Sequence, residues 1–176
     1  MTISSKNIRL RALEPSDVEL LYNWENNPEV WRVSNTYAPL SKFILANYIK
    51  SNNADIWENK QLRLVIENEQ EVAIGTVELF DFEPYHSRAG VGIVIFEHSE
   101  RGKGKAVEAL ELLIEYSRNT LGISQLYVNV AESNITSLKL FEKLGFEITG
   151  RKKQWLRKPN GWEDEYILQK QLVLKA

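Results

Sequence analysis

The chain has no cysteine and only two histidines, His86 and His98, among its 176 residues. Without cysteine it can form no disulfide, no thiolate zinc site and no acyl-cysteine intermediate. Two histidines are too few for a histidine-rich metal centre, so we expect no metal. No Gly-x-Ser-x-Gly elbow occurs in the sequence, which argues against a serine hydrolase.

Long apolar runs and an excess of charge are lacking too. Hydrophobic residues make up 43% of the chain and the formal net charge is -2. This composition predicts one soluble globular domain over residues 1–176. Residues 1–6 have neither the apolar region of a signal peptide nor a glycine at position two, so we expect a cytoplasmic location. The balanced charge gives no electrostatic reason to expect nucleic acid or a membrane as a partner.

The pattern of apolar residues in the first third of the chain predicts a strand and two helices. The strand covers residues 7–13, the first helix begins at the Pro-Ser-Asp of residues 15–17, and the second helix spans residues 41–50. Residues 26–40 show no clear periodicity. That segment therefore predicts a loop over a surface or a pocket.

The remaining two thirds predict a meander followed by strand–helix alternation. Residues 62–67 and 71–80 form a hairpin that leads to a third strand at 87–96. A long helix then begins near residue 106, followed by a strand at 126–130, a helix at 134–144 and two final strands. The predicted fold class is α/β, with a mixed, mostly antiparallel twisted sheet flanked by about four helices.

A glycine-containing segment joins the third strand to the long helix. It reads Arg101-Gly102-Lys103-Gly104-Lys105-Ala106. The first turn of a helix has unpaired N–H groups and the positive end of the helix dipole, and glycines let a phosphate approach closely. The segment predicts an anion cradle, although glycines before a helix are often only a tight connection.

A second motif, Asn134 to Phe146, reads Asn-Ile-Thr-Ser-Leu-Lys-Leu-Phe-Glu-Lys-Leu-Gly-Phe. With the glycine segment it resembles the GNAT superfamily of N-acetyltransferases. Arg101, Gly104 and Ala106 match that family's Arg/Gln-x-x-Gly-x-Gly/Ala pyrophosphate loop. The resemblance covers nearly the whole chain, and it is strongest to the branch of ribosomal-protein N-terminal acetyltransferases and bacterial spermidine acetyltransferases.

The resemblance implies an acetyl-CoA-dependent enzyme that transfers acetyl directly to a primary amine, either a protein N-terminal α-amine or a small amine. One alternative is a polyamine (spermidine or spermine) N-acetyltransferase, and another is a catalytically silent CoA-binding regulatory domain. A nucleotide-binding domain is disfavoured, because no Gly-x-x-x-x-Gly-Lys-Ser/Thr motif occurs. The family also suggests a homodimer.

In GNAT enzymes the strand before the cradle splays from its neighbour and its backbone pairs with the pantetheine amides. A backbone N–H of that strand polarises the thioester, which makes Val94 or Ile95 the oxyanion candidate. The whole set expected to contact the cofactor is Ile93, Val94, Ile95, Arg101, Gly102, Lys103, Gly104, Lys105, Ala106, Asn134, Ser137 and Phe141. In this set Asn134 could equally be the N-cap of its helix.

Phe141 stands where many GNAT relatives have a tyrosine, and a phenyl ring cannot donate a proton to the departing sulfur. Expelling a thiolate is not demanding, since a thiol pKa of about 8.5 leaves only roughly 2 kcal/mol of protonation bias near neutral pH. Water, Ser137 or another hydroxyl such as that of Tyr127 could serve the sulfur.

Three carboxylates follow the central strand: Glu78, Asp81 and Glu83. A lysine-like amine, with a pKa of about 10.4, costs roughly 4 to 5 kcal/mol to neutralise at pH 7, whereas an α-amine costs about 1. By the resemblance, Glu78 matches a glutamate near the substrate site of the spermidine branch, and it is the favoured base, acting through water. Trp31, Tyr37 and Glu83 are the candidate substrate contacts, although such aromatics often only cap a core.

Overall fold

The structure is a computed structural model that describes residues 3–34, 38–52 and 55–172. Its N-terminal part contains two strands and four helices, with a 3-10 turn at Pro15–Asp17 between the second strand and the first helix. These are β1 (Ile3–Ser4), β2 (Ile8–Ala12), α1 (Val18–Glu25), α2 (Pro28–Ser34), α3 (Lys42–Asn52) and α4 (Ile56–Asn59).

The strand β2 shows why this part folds as it does. Ile8 and Leu10 are buried, while Arg9 and Arg11 both reach Glu67 on the neighbouring strand, at 2.6 and 2.5 Å. This is the period-two alternation of a half-buried strand. Ion pairing lowers the pKa of Glu67 even though burial opposes the shift.

The remaining chain supplies six strands and two helices. These are β3 (Leu62–Asn68), β4 (Ala73–Glu83), β5 (Arg88–Ile95), α5 (Lys105–Asn119), β6 (Gln125–Ala131), α6 (Ile135–Lys143), β7 (Glu147–Lys158) and β8 (Gly161–Gln171). The eight strands form one sheet in the order β1-β2-β3-β4-β5-β6-β8-β7. All neighbouring pairs are antiparallel except β5 and β6.

The two faces of the sheet carry two cores. One lies under α5 and α6 and includes Val77, Leu110 and Phe141. The other lies under α1, α2 and α3 and includes Leu21 and Val65. We call the second side of the sheet the acceptor face. Within the described residues, none of the helices combines the length and apolar character needed to cross a bilayer.

Residues 26–40 differ from the sequence prediction of an irregular loop, because residues 28–34 form α2. Pro28 occupies the first turn, where a missing N–H costs nothing, and Asn27 Oδ1 accepts a hydrogen bond from Glu29 N at 3.0 Å. A seven-residue helix is too short for a clear 3.6-residue period. With the four-residue α4, the described residues contain six α-helices where about four were predicted.

Candidate active site

The main opening in the sheet is the place where β5 and β6 separate. These parallel strands pair only over Arg88–Gly90 and Gln125–Tyr127. Beyond that point β5 stays beside β4 as far as Ile95, and β6 stays beside β8 as far as Ala131. The backbone of residues 91–95 therefore faces a cleft on its β6 side, which is the splayed geometry that the resemblance implied.

The three residues expected to line this cleft do not present their backbones in the same way. Successive N–H groups of a strand point to opposite sides. Phe96 donates its N–H to Ile74 O on the β4 side at 2.9 Å, so the alternation turns Val94 toward β4 as well. Ile93 and Ile95 then face the cleft. Of the two oxyanion candidates, the geometry favours Ile95 over Val94.

The N-terminus of α5 lies at the mouth of the cleft, because it follows the end of β5. Gly102 and Gly104 have φ values of 74° and 81°, and the space that a Cβ would occupy at either is open. The first intrahelical hydrogen bond runs from Glu108 N to Gly104 O, so the amides of residues 105–107 have no partner within the helix. Open space and unpaired amides suit a phosphate group.

Arg101 is one of the expected cofactor contacts, but its side chain is engaged elsewhere. Its Nε donates to the Ile95 carbonyl oxygen at 2.9 Å, and its Nη1 lies 3.1 Å from His98 Nδ1. The guanidinium thus fixes the turn between β5 and α5.

Lys105, another expected cofactor contact, also has its side chain engaged elsewhere. It is 7% exposed, and its Nζ donates to Asn7 O at 3.0 Å and pairs with Glu69, because the start of α5 packs against the β2 and β3 ends. Lys105 therefore offers the cradle its backbone amide and not its charge. Lys103 is more than half exposed, with Glu100 3.7 Å away, and is the cation best placed to reach a phosphate.

The start of α6 lies beside the same mouth, because it follows the end of β6. Asn134 Oδ1 accepts a hydrogen bond from Ser137 N at 3.1 Å, so Asn134 is the N-cap of α6. Phe141 is 3% exposed and packs edge-on against Phe146, with ring centroids 5.1 Å apart. The ring belongs to the core under α5 and α6, which explains a phenylalanine there without any catalytic role.

A charged cluster lies on the acceptor face beside the cleft. Arg63 on β3 pairs with Glu25 of α1, donates to Thr76 Oγ1 at 3.2 Å and has its Nε 3.9 Å from Glu78 Oε2. Burial alone would lower the pKa of Arg63, but Glu25 and Glu78 raise it above its ordinary value. Two carboxylates against one guanidinium leave the cluster with one excess negative charge.

Glu78 is the member of this cluster nearest to the cleft. It pairs in register with Gly92 of β5, and a Cβ added at Gly92 would lie 3.1 Å from Glu78 Oε1. The missing side chain lets the carboxylate lie over the β5 backbone. Gln61 Nε2 is 3.4 Å from Glu78 Oε2 and 3.2 Å from the Tyr48 hydroxyl. Glu78 keeps 32% of its side chain exposed, so solvent or an amine can reach it.

Glu83 is separated from this group. A bulge in β4 follows Phe80, and Glu83 pairs with Arg88 at the opposite end of β5, with Arg88 Nη2 2.8 Å from Glu83 Oε1. Its carboxylate is thus engaged away from the open end of the cleft. Asp81, within the bulge, accepts a hydrogen bond from the Tyr127 hydroxyl at 3.1 Å. Burial and this carboxylate raise the pKa of Tyr127 to about 12.

Of the two aromatic substrate candidates, the structure describes Trp31 only. Trp31 lies on α2 and donates its Nε1 to the backbone oxygen of Glu25 at 2.6 Å, which places it beside the Arg63 cluster. Tyr37 lies outside the described residues.

The sequence reasoning missed Arg63 and its pairing with Glu25. Arg63 lies two residues before the buried Val65, on the same face of β3, which is the acceptor face. Glu25 follows the buried Leu21 by four residues on α1. A charge at a core-facing position of an otherwise apolar pattern was the available signal. The partners are 38 residues apart, however, and no local spacing connects them.

Comparison with known proteins gives the same assignment. A family model described as an acetyltransferase (GNAT) domain matches residues 7–147. The spermidine N(1)-acetyltransferase of Escherichia coli K12 is 30% identical over 147 residues, covering 84% of this chain and 76% of the relative. The corresponding enzyme of Vibrio cholerae is 31% identical over 146 residues, covering 81% and 80%.

Solved structures agree with the sequence matches. The Vibrio cholerae spermidine N-acetyltransferase in complex with CoA and spermine superposes with a TM-score of 0.85, at 26% identity, over 95% of this chain and 96% of that one. A dodecameric structure of the same enzyme superposes with a TM-score of 0.79, at 25% identity, over 95% of each chain. The family match spans well over half the chain and the cleft has the splay and cradle expected of it, so this protein belongs to the GNAT acetyltransferases and is an acetyl-CoA-dependent N-acetyltransferase.

Proposed function

We propose that the acceptor is a small primary amine that approaches the cleft from the acceptor face, where Glu78 lies over β5. The observation that carries this proposal is the excess negative charge of the Glu25–Arg63–Glu78 cluster beside the open strand. An ammonium group is attracted to such a site before it reacts. Glu78 is the part of the cluster that remains accessible.

The cofactor site is assigned to the backbone. Acetyl-CoA, when bound, supplies an acetyl group activated as a thioester whose sulfur leaves as a thiol. The open amides of residues 102–107 and the Lys103 ammonium would hold its pyrophosphate. The cleft-facing backbone of Ile93 and Ile95 would pair with the pantetheine amides.

The chemistry then needs a base and an oxyanion donor. An ammonium of pKa about 10.4 must lose a proton at a cost of roughly 4 to 5 kcal/mol at pH 7, and Glu78 accepts that proton through water. The Ile95 N–H donates to the carbonyl oxygen as negative charge develops there. Phe141 provides no proton donor, so the sulfur would leave as a thiolate, which lies only roughly 2 kcal/mol above the thiol near pH 7, and water would then protonate it.

A polyamine is a second candidate acceptor, because two relatives that cover most of this chain are named for spermidine. A protein N-terminal α-amine is the third, suggested by the sequence resemblance. We also propose that the chain forms a homo-oligomer, since a dodecameric structure of a relative superposes on it, and that the homodimer suggested by the family resemblance is a unit of that assembly. The cytoplasmic location remains a prediction.

The test is acetyl-CoA turnover, followed by thiol release, with alkyl monoamines, spermidine, spermine, amino acids and peptides of varied N-terminus. Selective release with the small amines is expected. Release with peptides alone would refute the proposal, and tight CoA binding without any turnover would favour the silent regulatory domain.

A further inference from the structure

A second charged group lies on the β6 side of the cleft, opposite Glu78, and it contains the ammonium of a lysine side chain. Lys152 Nζ lies 2.6 Å from Glu165 Oε2, 3.1 Å from Asn129 Oδ1 and 5.0 Å from the centroid of the Trp155 ring. A carboxylate, an amide oxygen and an aromatic face are the groups with which proteins bind an ammonium. Glu165 is 7% exposed, so its charge is largely removed from water.

The local fold builds this arrangement. Between the registered pairs Lys152–Glu165 and Leu156–Glu163, three residues of β7 oppose the single Asp164 of β8. Asp164 Oδ1 accepts a hydrogen bond from the backbone N–H of Gln154, at 2.7 Å, inside this bulge. The bulge turns the chain so that Trp155 lies against Lys152, as bulges often redirect side chains.

The cluster shares its face of the sheet with Glu78. On β6, Val128 and Val130 belong to the core under α5 and α6, so Asn129 points to the acceptor face. Glu165 pairs in register with Ala131, which alternates with the same core residues. Because β4 and β6 are two strand spacings apart before the splay is added, the two groups are at least about 10 Å apart.

The charged groups on the two sides of the cleft differ in net charge. The Arg63 cluster has one excess negative charge, whereas Lys152 neutralises Glu165. An extended amine with two ammonium groups could satisfy Glu78 with one of them, but its second would meet a site that is already filled by a lysine.

The following inference rests on the proposed small-amine function. We propose that Lys152 determines acceptor specificity, because its own ammonium occupies the second cation site of the acceptor face. The enzyme therefore prefers monoamines over diamines and polyamines. Lys152 acts on the choice of substrate and not on the acetyl transfer itself.

The test compares kcat/KM for spermidine and for an α,ω-diamine with that for an alkyl monoamine of equal length. In Lys152→Met the buried Glu165 is left for a substrate ammonium, and the diamine-to-monoamine ratio rises by roughly tenfold or more. The control is Lys153→Met, which removes the same charge from the exposed neighbouring position and leaves the ratio unchanged. A folded Lys152→Met enzyme with the wild-type ratio would overturn the inference.

The double variant Lys152→Met/Glu165→Gln covers the case in which the unpaired carboxylate prevents folding. It lacks both the lysine charge and the carboxylate, so the ratio rises less than in the single variant yet stays above wild type; a wild-type ratio again contradicts the inference. Calorimetric titration of the CoA-loaded protein with the same amines gives the corresponding ratio of affinities without turnover. Selective binding without any turnover would therefore refute the proposed function but not the inference about Lys152.

Discussion

The cofactor side and the acceptor side of the cleft present different chemical groups. On the cofactor side the candidate contacts are backbone amides at Gly102, Gly104 and the start of α5, while the Arg101 guanidinium bonds the end of β5 and the Lys105 ammonium is buried. On the acceptor face they are side-chain charges held by long-range pairing. A backbone site is sensitive to the conformation of one loop, and a side-chain site depends on each partner of its network.

The largest effect is expected from Gly104→Asp, which places bulk and negative charge in the cradle. CoA affinity should fall at least about a hundredfold, because charge-assisted hydrogen bonds to the phosphates are lost. Calorimetric titration with CoA measures the loss.

Gly122→Asp is the matched control for that variant. Gly122 also has a positive φ, 65°, with open space around its missing Cβ, but it follows the opposite end of α5. Both variants share the backbone penalty of about 1 kcal/mol, and only the cradle variant should lose CoA. Equal losses would mean that the cradle does not bind the pyrophosphate.

The second effect concerns stability on the acceptor face. Arg63→Met leaves Glu25 and Glu78 without their guanidinium, and breaking such a buried pair should reduce the free energy of unfolding by about 3–5 kcal/mol. Arg88→Met breaks an ion pair whose side chains are nearly half exposed, 43% and 45%, and should cost less than about 1 kcal/mol. Urea unfolding of both variants checks the contrast, and equal costs would contradict a buried network at Arg63.

The third effect separates catalysis from folding. Glu78→Gln keeps the shape of the side chain and removes the base, so kcat for small amines should fall roughly a hundredfold with KM for acetyl-CoA unchanged. Glu83→Gln, whose native carboxylate is paired with Arg88, should stay within about twofold of wild type. Equal activity of the Glu78 and Glu83 variants would remove Glu78 from the mechanism.

These contrasts also explain what the sequence could predict. The cradle and α6 were recognisable because glycines, caps and helix starts lie within a few neighbouring residues. The meander followed from strand patterns in the same way, whereas the splay was implied by the family resemblance. The Glu25–Arg63–Glu78 cluster depends on α1 folding over β3, and that packing leaves no fixed spacing in the chain.

Side-chain direction was the other limit. Spacing placed Lys105 close to the start of α5, where the structure has it, but its ammonium reaches Asn7, 98 residues away. The bulge in β4 likewise separates Glu83 from Glu78, although the two are five residues apart in one strand. Neither outcome follows from local pattern alone.

The fourth prediction uses the two lysines of the cradle. Lys103→Met should raise KM for acetyl-CoA about three- to fivefold, the effect of one exposed charge, with little change in stability. Lys105→Met should do the reverse, lowering stability by about 1–2 kcal/mol through the lost bond to Asn7. Steady-state kinetics and thermal unfolding together distinguish the two roles. A KM for acetyl-CoA that rises in Lys105→Met but not in Lys103→Met would mean that the Lys105 charge, and not that of Lys103, binds the cofactor.

The smallest effect is expected from Phe141→Tyr. The added hydroxyl enters a core position that is 3% exposed, and an unsatisfied hydroxyl there should lower stability by about 1 kcal/mol without CoA. Turnover should change less than threefold, because Phe141 belongs to the core under α5 and α6 and packs against Phe146. A large rise in kcat would instead mean that this enzyme lacks a general acid and that sulfur departure limits its rate, so the acceptor face would not be the part that sets turnover.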